Sequence, residues 1–483
     1  MEILIKGLPS GYEIEHLARI FYPGIPLRKT AASRGALVYA RAGKTRMAVG
    51  LRAGKACHVC TASPQAGVPA KQQLSGMLYT LLQAQTGQKP PWGMLTGVRP
   101  VNFLRHALQH GNAAAQTELL ETYHVSQEKY NLAHEIVCRQ QPFLQASAPR
   151  SYSLYVSIPF CPSRCSYCSF VSRTLQRDTA IVQPYLEALE REMAQTAQVA
   201  KTCGLTLETI YIGGGTPTAL TPPQLRFLLQ SVQKHFNTTI IKEYTVEAGR
   251  PDCTDYEKLA LLKQFGVSRI SINPQSMHNE VLAAIGRGHT AADIVRCFED
   301  ARRAGHQNIN MDLIAGLPKD TEQRFAKTLQ TLLALAPENI TIHTLTLKRA
   351  SNMVIEQSAS GSSPANMIAA AYPQLYQHGY VPYYLYRQKN TVENFENTGW
   401  AKPGTEGLYN IFIMEEAQTI LALGAGASTK LVAPGGRIQR VYNYKYPAEY
   451  LEGFNEILAR KKGVEAFYAG NLDTQTPGGH WAD

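Results

Sequence analysis

The stretch YVSIPFCPSRCSYCSF, residues 155–170, is the most informative part of this 483-residue chain. It places Cys161, Cys165 and Cys168 on a short Pro-containing loop directly after the strand-like run LYVSI (154–158). Thiolates with the spacing CxxxCxxC on an irregular loop can reach three of the four irons of a 4Fe-4S cluster. The loop therefore predicts an iron–sulfur cluster at the carboxyl end of a strand.

The fourth iron of such a cluster keeps an open coordination position. That position can hold the amino and carboxylate groups of S-adenosylmethionine, whose one-electron reduction gives methionine and a 5'-deoxyadenosyl radical. A zinc site is the first alternative, but zinc normally takes four protein ligands and no fourth Cys or His lies nearby at zinc-finger spacing. Three structural cysteines are the second alternative, which a polar loop containing Pro disfavours.

Beyond the cysteine loop, strand-like runs alternate with helical patterns. The runs are LYVSI (154–158), TIYIG (209–213), YTVEA (244–248), RISIN (269–273), NMDLI (310–314) and ITIHT (340–344). Strands joined by helical crossovers predict a parallel sheet with right-handed connections, which can form an open barrel. The expected fold class is α/β, a partial (β/α)6 barrel whose functional residues lie at the carboxyl ends of its strands.

The length of the chain predicts about three domains. Residues 1–150 are expected to form a small α+β domain, because strand patterns at 36–54 precede an apolar helical pattern at 71–87. Residues 151–350 contain the predicted barrel. Residues 351–483 are less regular, and we expect them to cap the barrel and cover the substrate.

The positive charge of the chain is concentrated in its first domain. Residues 1–150 hold 17 Lys and Arg against 7 Glu, a net charge of +10 out of +11 for the whole chain. Such a domain can attract an acidic substrate, an acidic electron donor such as reduced flavodoxin or ferredoxin, or nucleic acid, or it can simply be a basic soluble domain. No RNA-binding motif is recognisable, so nucleic acid is not the expected partner.

Cysteine usage and hydropathy indicate a cytoplasmic protein. Nine cysteines, an odd number, in a chain without a secretory signal argue against a disulfide framework. No apolar run approaches the ~18 residues that a membrane span needs. The pair Cys57 and Cys60 forms a lone CxxC, either half of a metal site or a redox pair, and it receives no assignment.

A set of motifs gives the chain a family resemblance over about residues 150–430. The motifs, in chain order, are YVSIPFCPSRCSYC, YIGGGTPT, VEAGRPD, RISINPQS, IGRGHT, MDLIAGLPKDT and GLYNIFIMEEAQTILALGAGASTK. As a set they resemble the oxygen-independent coproporphyrinogen III oxidase group of radical S-adenosylmethionine (radical SAM) enzymes, in particular its HemZ-type coproporphyrinogen dehydrogenase branch. The resemblance implies a radical SAM barrel, a 4Fe-4S cluster and S-adenosylmethionine, with room for two molecules of the latter.

Several strand-end residues have chemistry that suits a ligand on one rim of the barrel. Glycine backbone allows close approach, carboxylates accept hydrogen bonds from ribose or amine groups, and an Arg pairs with a carboxylate. The resemblance implies that S-adenosylmethionine contacts Tyr155, Tyr167, Gly214, Gly215, Thr216, Glu247, Gln275, Arg287 and Asp312. Thr346 and Ser428 match further positions of backbone contact.

The sequence also departs from its relatives at specific positions. Ser157 stands where family members often carry a His. Lys348 and Arg349 replace an acidic residue of the heme-chaperone relatives, and Tyr409 with Asn410 stands near the place of their His-Asn pair. These differences favour the HemZ-type branch over the chaperones.

The resemblance implies oxidative decarboxylation of coproporphyrinogen III to protoporphyrinogen IX. Cationic side chains should bind the substrate propionates, and Arg287, Lys348 and Arg349 are the candidates, although Arg287 better suits the cofactor. A heme-binding or heme-delivery protein, or another radical reaction on a tetrapyrrole, remains an alternative that the cysteine loop does not separate.

Overall fold

The computed structural model of the chain describes residues 1–22, 25, 27–30, 37–53, 56–97, 99–168, 173–175, 179–346, 363–388, 394–433 and 436–470. It divides into two compact units. The first comprises Met1–Cys138 with Leu385–Glu396, and the second comprises Arg139–Tyr384 with Asn397–Asp483. The three-domain division expected from the sequence stays a prediction.

The first unit is built on a mixed sheet with strand order β2-β1-β3-β4-β5. Its strands are β1 Glu2–Lys6, β2 Arg28–Lys29, β3 Val38–Ala42, β4 Met47–Ala53 and β5 Ala56–Ala62, and its helices are α1 Tyr12–Phe21, α2 Ala70–Thr86, α3 Pro100–Ala107, α4 Asn112–Thr117 and α5 Gln127–Gln145, which continues past Cys138. Apolar side chains of α1 and α2, such as Leu17 and Leu78, form one core with Val38 and Val49.

Two features of the first unit bear on the sequence predictions. Cys57 and Cys60 lie on β5, an edge strand, and both are exposed. Residues three apart on a strand point to opposite faces, so these thiols cannot meet as a redox pair or chelate one ion. Inside the unit, the buried Glu396 carboxylate accepts hydrogen bonds from Lys129 Nζ at 2.6 Å and Trp92 Nε1 at 2.8 Å.

The second unit consists of one large sheet, a short two-stranded sheet and the crossover helices. Its strands are β6 Ser151–Ile158, β7 Phe160–Cys161, β8 Arg173–Thr174, β9 Thr206–Gly214, β10 Glu243–Glu247, β11 Arg269–Ser271, β12 Ile309–Ala315, β13 Asn339–Thr344, β14 Val381–Arg387, β15 Glu396–Ala401, β16 Thr419–Leu423, β17 Ser428–Val432 and β18 Ile438–Tyr442. Its helices are α6 Val182–Thr202, α7 Pro222–His235, α8 Tyr256–Gln264, α9 Asn279–Ala284, α10 Ala291–Arg303, α11 Glu322–Leu335, α12 Pro364–Gln377, α13 Leu408–Glu415, α14 Pro447–Glu452 and α15 Phe454–Ala469.

The predicted six-stranded parallel arrangement is confirmed. Strands β6, β9, β10, β11, β12 and β13 are neighbours in chain order and pair in parallel throughout. The C-terminal region extends this sheet at both sides, because β16 pairs in parallel with β6 and β15 pairs antiparallel with β13. The fold is therefore α/β, with the carboxyl ends of the six strands on one rim.

The parallel strands alternate polar and apolar side chains. Most parallel strands are apolar on both faces. Here one face, called the polar face below, carries Ser153, Tyr155 and Ser157 on β6, Thr209 and Tyr211 on β9, Glu243, Thr245 and Glu247 on β10, Arg269 and Ser271 on β11, Asn310 and Asp312 on β12, and Asn339, Thr341 and His343 on β13. Hydrogen bonds join neighbouring strands across this face, for example from Thr209 Oγ1 to Ser153 Oγ at 2.7 Å.

The start of helix α13 lies against the amino-terminal end of the polar face. The backbone N–H groups of Leu408 and Tyr409 donate to the Glu243 carboxylate at 2.7 and 3.2 Å. These N–H groups have no partner within a helix, so the buried carboxylate satisfies them and also favours the positive end of the helix dipole. Gly407 permits the packing, since a Cβ there would lie 3.2 Å from the Arg269 guanidinium carbon.

In the described part of the chain, no helix is both long enough and apolar enough to cross a bilayer.

Candidate functional site

The three cysteines of the predicted cluster lie on a loop at the carboxyl end of the sheet. Cys161 ends the short strand β7, and Cys165 is 8% exposed. The loop is held in shape by backbone hydrogen bonds, from Cys168 N to Cys165 O at 3.1 Å and from Ser166 N to Ile285 O at 3.0 Å. Among the described residues, no set of three or more His, Cys, Asp or Glu could hold a single metal ion.

Two side chains donate hydrogen bonds to cysteine sulfur atoms. Thr216 Oγ1 lies 3.5 Å from Cys161 Sγ, and Arg250 Nη1 lies 3.4 Å from Cys165 Sγ. Arg250 is buried, and its other edge pairs with Asp252 at 2.9 and 2.6 Å. The motif VEAGRPD was recognised in the sequence, but Arg250 within it was not identified as a site residue.

The glycines after β9 form a backbone shelf beside the cysteine loop. A Cβ on Gly215 would lie 2.5 Å from Phe160 O, and the Gly215 N–H donates to Ile158 O at 2.8 Å. Gly214 has a φ of +106°, a conformation that side chains other than glycine rarely adopt. The structure thus brings Gly214, Gly215 and Thr216 directly against the strand that leads to Cys161.

Arg287 and Tyr167 form a buried pair near the loop. Arg287 Nη2 donates to the Tyr167 hydroxyl at 3.0 Å, while Nη1 donates to the carbonyl oxygens of Gly249 at 3.1 Å and Asn273 at 2.6 Å. Burial raises the pKa of the Tyr167 hydroxyl, although the Arg287 charge opposes this effect. Within the described residues, Arg287 Nε is buried without a hydrogen-bond partner.

Gln275 has two unusual properties for a buried side chain. It has a φ of +65°, in the left-handed region, and its side-chain Oε1 is buried with no partner among the described residues. A buried polar atom without a partner costs about 1–3 kcal/mol, and left-handed non-glycine residues concentrate at functional sites. Both properties indicate a side chain that is held in place for a ligand.

Glu247 ends strand β10, and its carboxyl group has a strongly raised pKa. Burial raises its pKa to about 7, against the lowering effect of a hydrogen bond from the Tyr211 hydroxyl. That hydroxyl donates to Glu247 Oε1 at 2.7 Å. The nearby Asp312 charge raises the pKa of Glu247 further. At neutral pH this carboxyl group can therefore exist in either protonation state.

Asp312 shares the polar face with Glu247 but has the opposite pKa shift. Burial alone would raise the pKa of Asp312, but His343 and Asn310 outweigh that effect and lower it. His343 Nε2 lies 3.6 Å from Asp312 Oδ2, and Asn310 Nδ2 donates to Oδ1 at 2.7 Å. Asp312 is thus a stable anion beside a carboxyl group that titrates near neutrality.

The comparisons with known proteins show the family of the chain. The family model described as the Radical SAM superfamily matches residues 155–332. The oxygen-independent coproporphyrinogen-III oxidase-like protein HemZ of Bacillus subtilis is 42% identical over 405 residues, which cover 81% of this chain and 80% of that protein. The chain belongs to the radical SAM family of oxygen-independent coproporphyrinogen III oxidase-like proteins.

Other relatives in this radical SAM family have different names. The heme chaperone HemW of Bacillus subtilis is 33% identical over 282 residues, covering 57% of this chain and 70% of HemW. Among solved structures, coproporphyrinogen III oxidase HemN of Escherichia coli matches with a TM-score of 0.49 and 24% identity, over 65% of this chain and 72% of HemN.

The site fits the cofactors that radical SAM membership implies, a 4Fe-4S cluster and S-adenosylmethionine. Among the described residues, three thiols lie on one loop, and three thiolates are the donor set for a cluster with an open iron. The unpartnered atoms of Gln275 and Arg287 supply an acceptor and a donor for a bound molecule.

Three tyrosines near Glu247 were not identified as a group from the sequence of this radical SAM protein. The rings of Tyr211 and Tyr409 stack at a centroid distance of 4.5 Å, and Tyr155 stacks on both at 6.1 and 6.2 Å. Tyr155 was predicted as a site residue, whereas Tyr211 was not. The alternation of polar and apolar residues in TIYIG, aligned with LYVSI, is the signal that would have placed Tyr155 and Tyr211 on one face.

The remaining predicted positions are less informative. Thr346 Oγ1 donates to Thr344 O, and Ser428 begins strand β17. Ser157, where relatives often carry His, donates to Ala425 O at 2.9 Å. Lys348 and Arg349 lie outside the described residues.

Proposed function

We propose that the chain catalyses oxygen-independent oxidative decarboxylation of coproporphyrinogen III to protoporphyrinogen IX in the cytoplasm. The observation that carries this proposal is the position of the cysteine loop, which lies at the same rim as Glu247 and Asp312, two half-buried carboxyl groups of the polar face. The 42% identity to HemZ, a protein named as coproporphyrinogen-III oxidase-like, supports the choice of substrate.

In this proposal Cys161, Cys165 and Cys168 bind the cluster. When bound, the cluster and S-adenosylmethionine would supply a 5'-deoxyadenosyl radical able to take a hydrogen atom from the β-carbon of a propionate. Loss of carbon dioxide from the substrate, with one electron passing to an external one-electron acceptor, would leave a vinyl group, and a second round at another propionate would complete the conversion.

The rim residues would hold S-adenosylmethionine by complementary charge and close backbone contact. The ionised Glu247 would accept hydrogen bonds from the methionyl ammonium group, and Arg287 Nε–H would donate to the methionyl carboxylate. Asp312 and Gln275 would accept hydrogen bonds from ribose hydroxyls, and the backbone at Gly214 and Gly215 would contact the ligand. These contacts account for one molecule, and a second molecule remains part of the proposal through the family resemblance alone.

The remaining predicted residues would enclose these ligands. The hydrogen bond to Arg287 holds Tyr167 between the last two cysteines, where its ring would cover the cluster. Tyr155, stacked on Tyr211, would contact the bound molecule from the polar face. Thr216 would serve both ligands, since its backbone belongs to the shelf and its hydroxyl contacts a cysteine.

The decisive experiment is anaerobic turnover. Cluster-loaded protein with coproporphyrinogen III, S-adenosylmethionine and a chemical reductant should yield vinyl-bearing porphyrin products together with methionine and 5'-deoxyadenosine. Protein with Cys165→Ala is the control and should yield none of them. Formation of methionine and 5'-deoxyadenosine without any vinyl product would contradict the decarboxylase proposal.

Heme delivery is the second candidate, and the 33% identity to the heme chaperone HemW favours it. At the position where the chaperones carry a His-Asn pair, Tyr409 stacks in the tyrosine group and Asn410 donates to the Tyr383 hydroxyl at 3.2 Å. Tyr409 has no imidazole, so this position does not offer a histidine ligand to heme iron. Stable stoichiometric binding of heme without turnover of coproporphyrinogen III would nevertheless favour delivery. A vinyl-free product from another tetrapyrrole would favour a different radical reaction.

The electron donor would be reduced flavodoxin or ferredoxin, attracted by the basic N-terminal residues. Attraction between opposite charges is screened by salt over about 8–10 Å at ordinary ionic strength. The rate of cluster reduction by flavodoxin should therefore fall as salt increases. A rate that does not respond to salt would argue against this role for the basic region.

A further inference from the structure

Arg250 has a set of contacts that none of the assigned roles explains. It lies within the motif VEAGRPD, follows strand β10 and is only 4% exposed. Burial of a charged guanidinium has a large unfavourable desolvation free energy unless the group is paired. The hydrogen-bond partners of Arg250 therefore indicate its role. Within the described structure, its side-chain hydrogen bonds go to the cysteine loop and to Asp252, two residues after it.

The two edges of the guanidinium have different partners. Nε and Nη2 donate to the two oxygens of Asp252 at 2.9 and 2.6 Å, which is a bidentate pair. Such a fork fixes the plane of the guanidinium. Its remaining nitrogen, Nη1, is thereby directed at the cysteine loop, where it lies 3.4 Å from Cys165 Sγ and 3.3 Å from Ser163 O.

Further contacts hold this arrangement in place. Arg250 Nη2 also donates to Ser163 Oγ at 2.9 Å, two residues before Cys165. His289 Nδ1 lies 3.5 Å from Asp252 Oδ1 on the far side of the pair. Asp252 therefore acts as a positioning residue for Arg250, and Ser163 links the guanidinium to the backbone of the loop.

We propose that Arg250, oriented by Asp252, is a positioning residue that donates an N–H hydrogen bond to the Cys165 thiolate of the bound cluster and raises the reduction potential of that cluster. The physical reason is charge: reduction adds one electron to a cluster that already carries three thiolates. A hydrogen bond to a ligand sulfur stabilises the more negative, reduced state more than the oxidised state, and such bonds are known determinants of iron–sulfur potentials.

The effect comes from the directed N–H group more than from net charge. Arg250 and Asp252 together have a formal charge of zero, but the donor points at the sulfur and the carboxylate lies on the opposite edge. Thr216 is the neutral counterpart, because its hydroxyl lies 3.5 Å from Cys161 Sγ. Thr216 should therefore affect the potential in the same direction and by less, since hydrogen bonds from charged donors are roughly twice as strong as neutral ones.

The test is the midpoint potential of the loaded cluster, measured by an EPR-monitored redox titration without S-adenosylmethionine or substrate. In Arg250→Gln the equilibrium constant for reduction should fall at least about tenfold, which is about 59 mV for a one-electron couple. Arg250→Lys keeps the charge but lacks the two parallel N–H donors of the guanidinium. Its midpoint potential should therefore lie between those of wild type and Arg250→Gln. Iron content is measured in each variant, so that only protein with an assembled cluster is compared.

Two further variants separate the effect of the N–H donor on the potential from the effect of net charge. The double variant Arg250→Gln with Asp252→Asn conserves net charge and should still lower the potential. Arg303→Gln removes one positive charge from an exposed side chain paired with Asp300, and it should leave the potential unchanged. Should Arg250→Gln fail to assemble a cluster, Arg250→Lys provides the measurement.

Specific results would overturn the inference. An assembled cluster in Arg250→Gln with an unshifted potential would do so, as would an equal shift in Arg303→Gln. An unshifted potential in Arg250→Lys, where the glutamine variant holds no cluster, would also count against it. The inference rests on the cluster of the proposed function but not on its substrate, so a shifted potential without any vinyl porphyrin product would reject only the decarboxylase proposal.

Discussion

The cysteine-loop side and the polar-face side of the barrel rim differ in charge. Around the loop, Arg250 and Arg287 are buried within reach of Cys165. On the polar face, the rim carries the carboxyl groups of Glu247 and Asp312, with His343 beside them. Under the proposed function, the cationic side would suit an anionic cluster, whereas the acidic side would suit a ligand that carries an ammonium and a sulfonium group. The rim would then hold two ligands of opposite charge next to each other.

The largest expected effect comes from removing a thiol on the cationic side. Cys165→Ala should abolish the bound cluster, because the remaining loop thiols cannot hold three irons. Iron and sulfide content and visible absorbance after anaerobic reconstitution measure the effect. Cys138→Ala, at an exposed cysteine in the first unit, is the matched control and should keep the full cluster content. Undiminished iron in the Cys165 variant would contradict the whole assignment.

Removal of a carboxylate on the acidic side should leave the cluster content unchanged but weaken the binding of S-adenosylmethionine. Glu247→Gln should reduce the affinity for S-adenosylmethionine by about 10- to 100-fold, since hydrogen bonds to charged groups contribute about 1.5–3 kcal/mol. Equilibrium dialysis with the oxidised, cluster-loaded protein measures this affinity. Glu280→Gln, at an exposed carboxylate paired with Arg324, should bind normally. Equal affinity in the Glu247 variant and wild type would remove Glu247 from the binding site.

The two sides also differ in how well the sequence predicts them. The cysteine loop and the glycines after β9 are local motifs, so the sequence locates Cys161, Cys165, Cys168 and Gly215 just after two strands that are neighbours in the sheet. The six parallel strands were likewise predictable, because each one is a short strand-like run next to a helical pattern.

The missed contacts depend on register and on backbone geometry. Tyr211 meets Glu247 because β9 and β10 are aligned in parallel, and Arg250 meets Cys165 because a turn after β10 returns the chain to the loop. Neither contact can be predicted from a single stretch of sequence. The alternation of polar and apolar residues predicts that Tyr211 and Glu247 lie on one face, whereas nothing in the local sequence predicts that the turn brings Arg250 to Cys165.

The pKa of Glu247 makes the stability of the cofactor-free protein depend on pH. Its folded-state pKa of about 7 exceeds the unfolded value of 4.5. Glu247 therefore contributes stability that is fully present below about pH 4.5 and is lost as pH rises through about 7. Between pH 5 and 8 the wild type should lose at most about 3 kcal/mol relative to Glu247→Gln, and less because water screens this partly exposed carboxyl group.

Denaturant unfolding of wild type and Glu247→Gln across that pH range measures the difference. Groups other than Glu247 titrate in both proteins and largely cancel. Parallel curves for the two proteins would show that the carboxyl group has an ordinary pKa, and the acidic side would then be no more than a solvated surface.

The Tyr211 hydroxyl should act on the same titration. Its hydrogen bond stabilises the ionised Glu247, so Tyr211→Phe should move the rise in S-adenosylmethionine affinity to higher pH, by roughly one pH unit. Tyr244→Phe is a matched control, because the buried Tyr244 hydroxyl has no hydrogen-bond partner among the described residues. A midpoint that moves equally in both variants would indicate general loosening of the sheet.

The smallest effect on the pH midpoint of binding should come from replacement of Asp312, and its direction should be opposite to that of Tyr211→Phe. The Asp312 charge disfavours ionisation of Glu247, so Asp312→Asn should shift the midpoint of binding to lower pH, whatever its effect on the affinity itself. His343 faces both carboxyl groups, so the variant His343→Gln is measured in the same assay. It should shift the midpoint to higher pH, because it removes a positive partner that favours ionised Glu247. Asp300→Asn, on the exposed surface of α10, controls for net charge. Opposite shifts for the Tyr211 and Asp312 variants would establish that the acidic side works as one coupled unit around Glu247, whereas shifts of the same sign would assign the effect to altered packing.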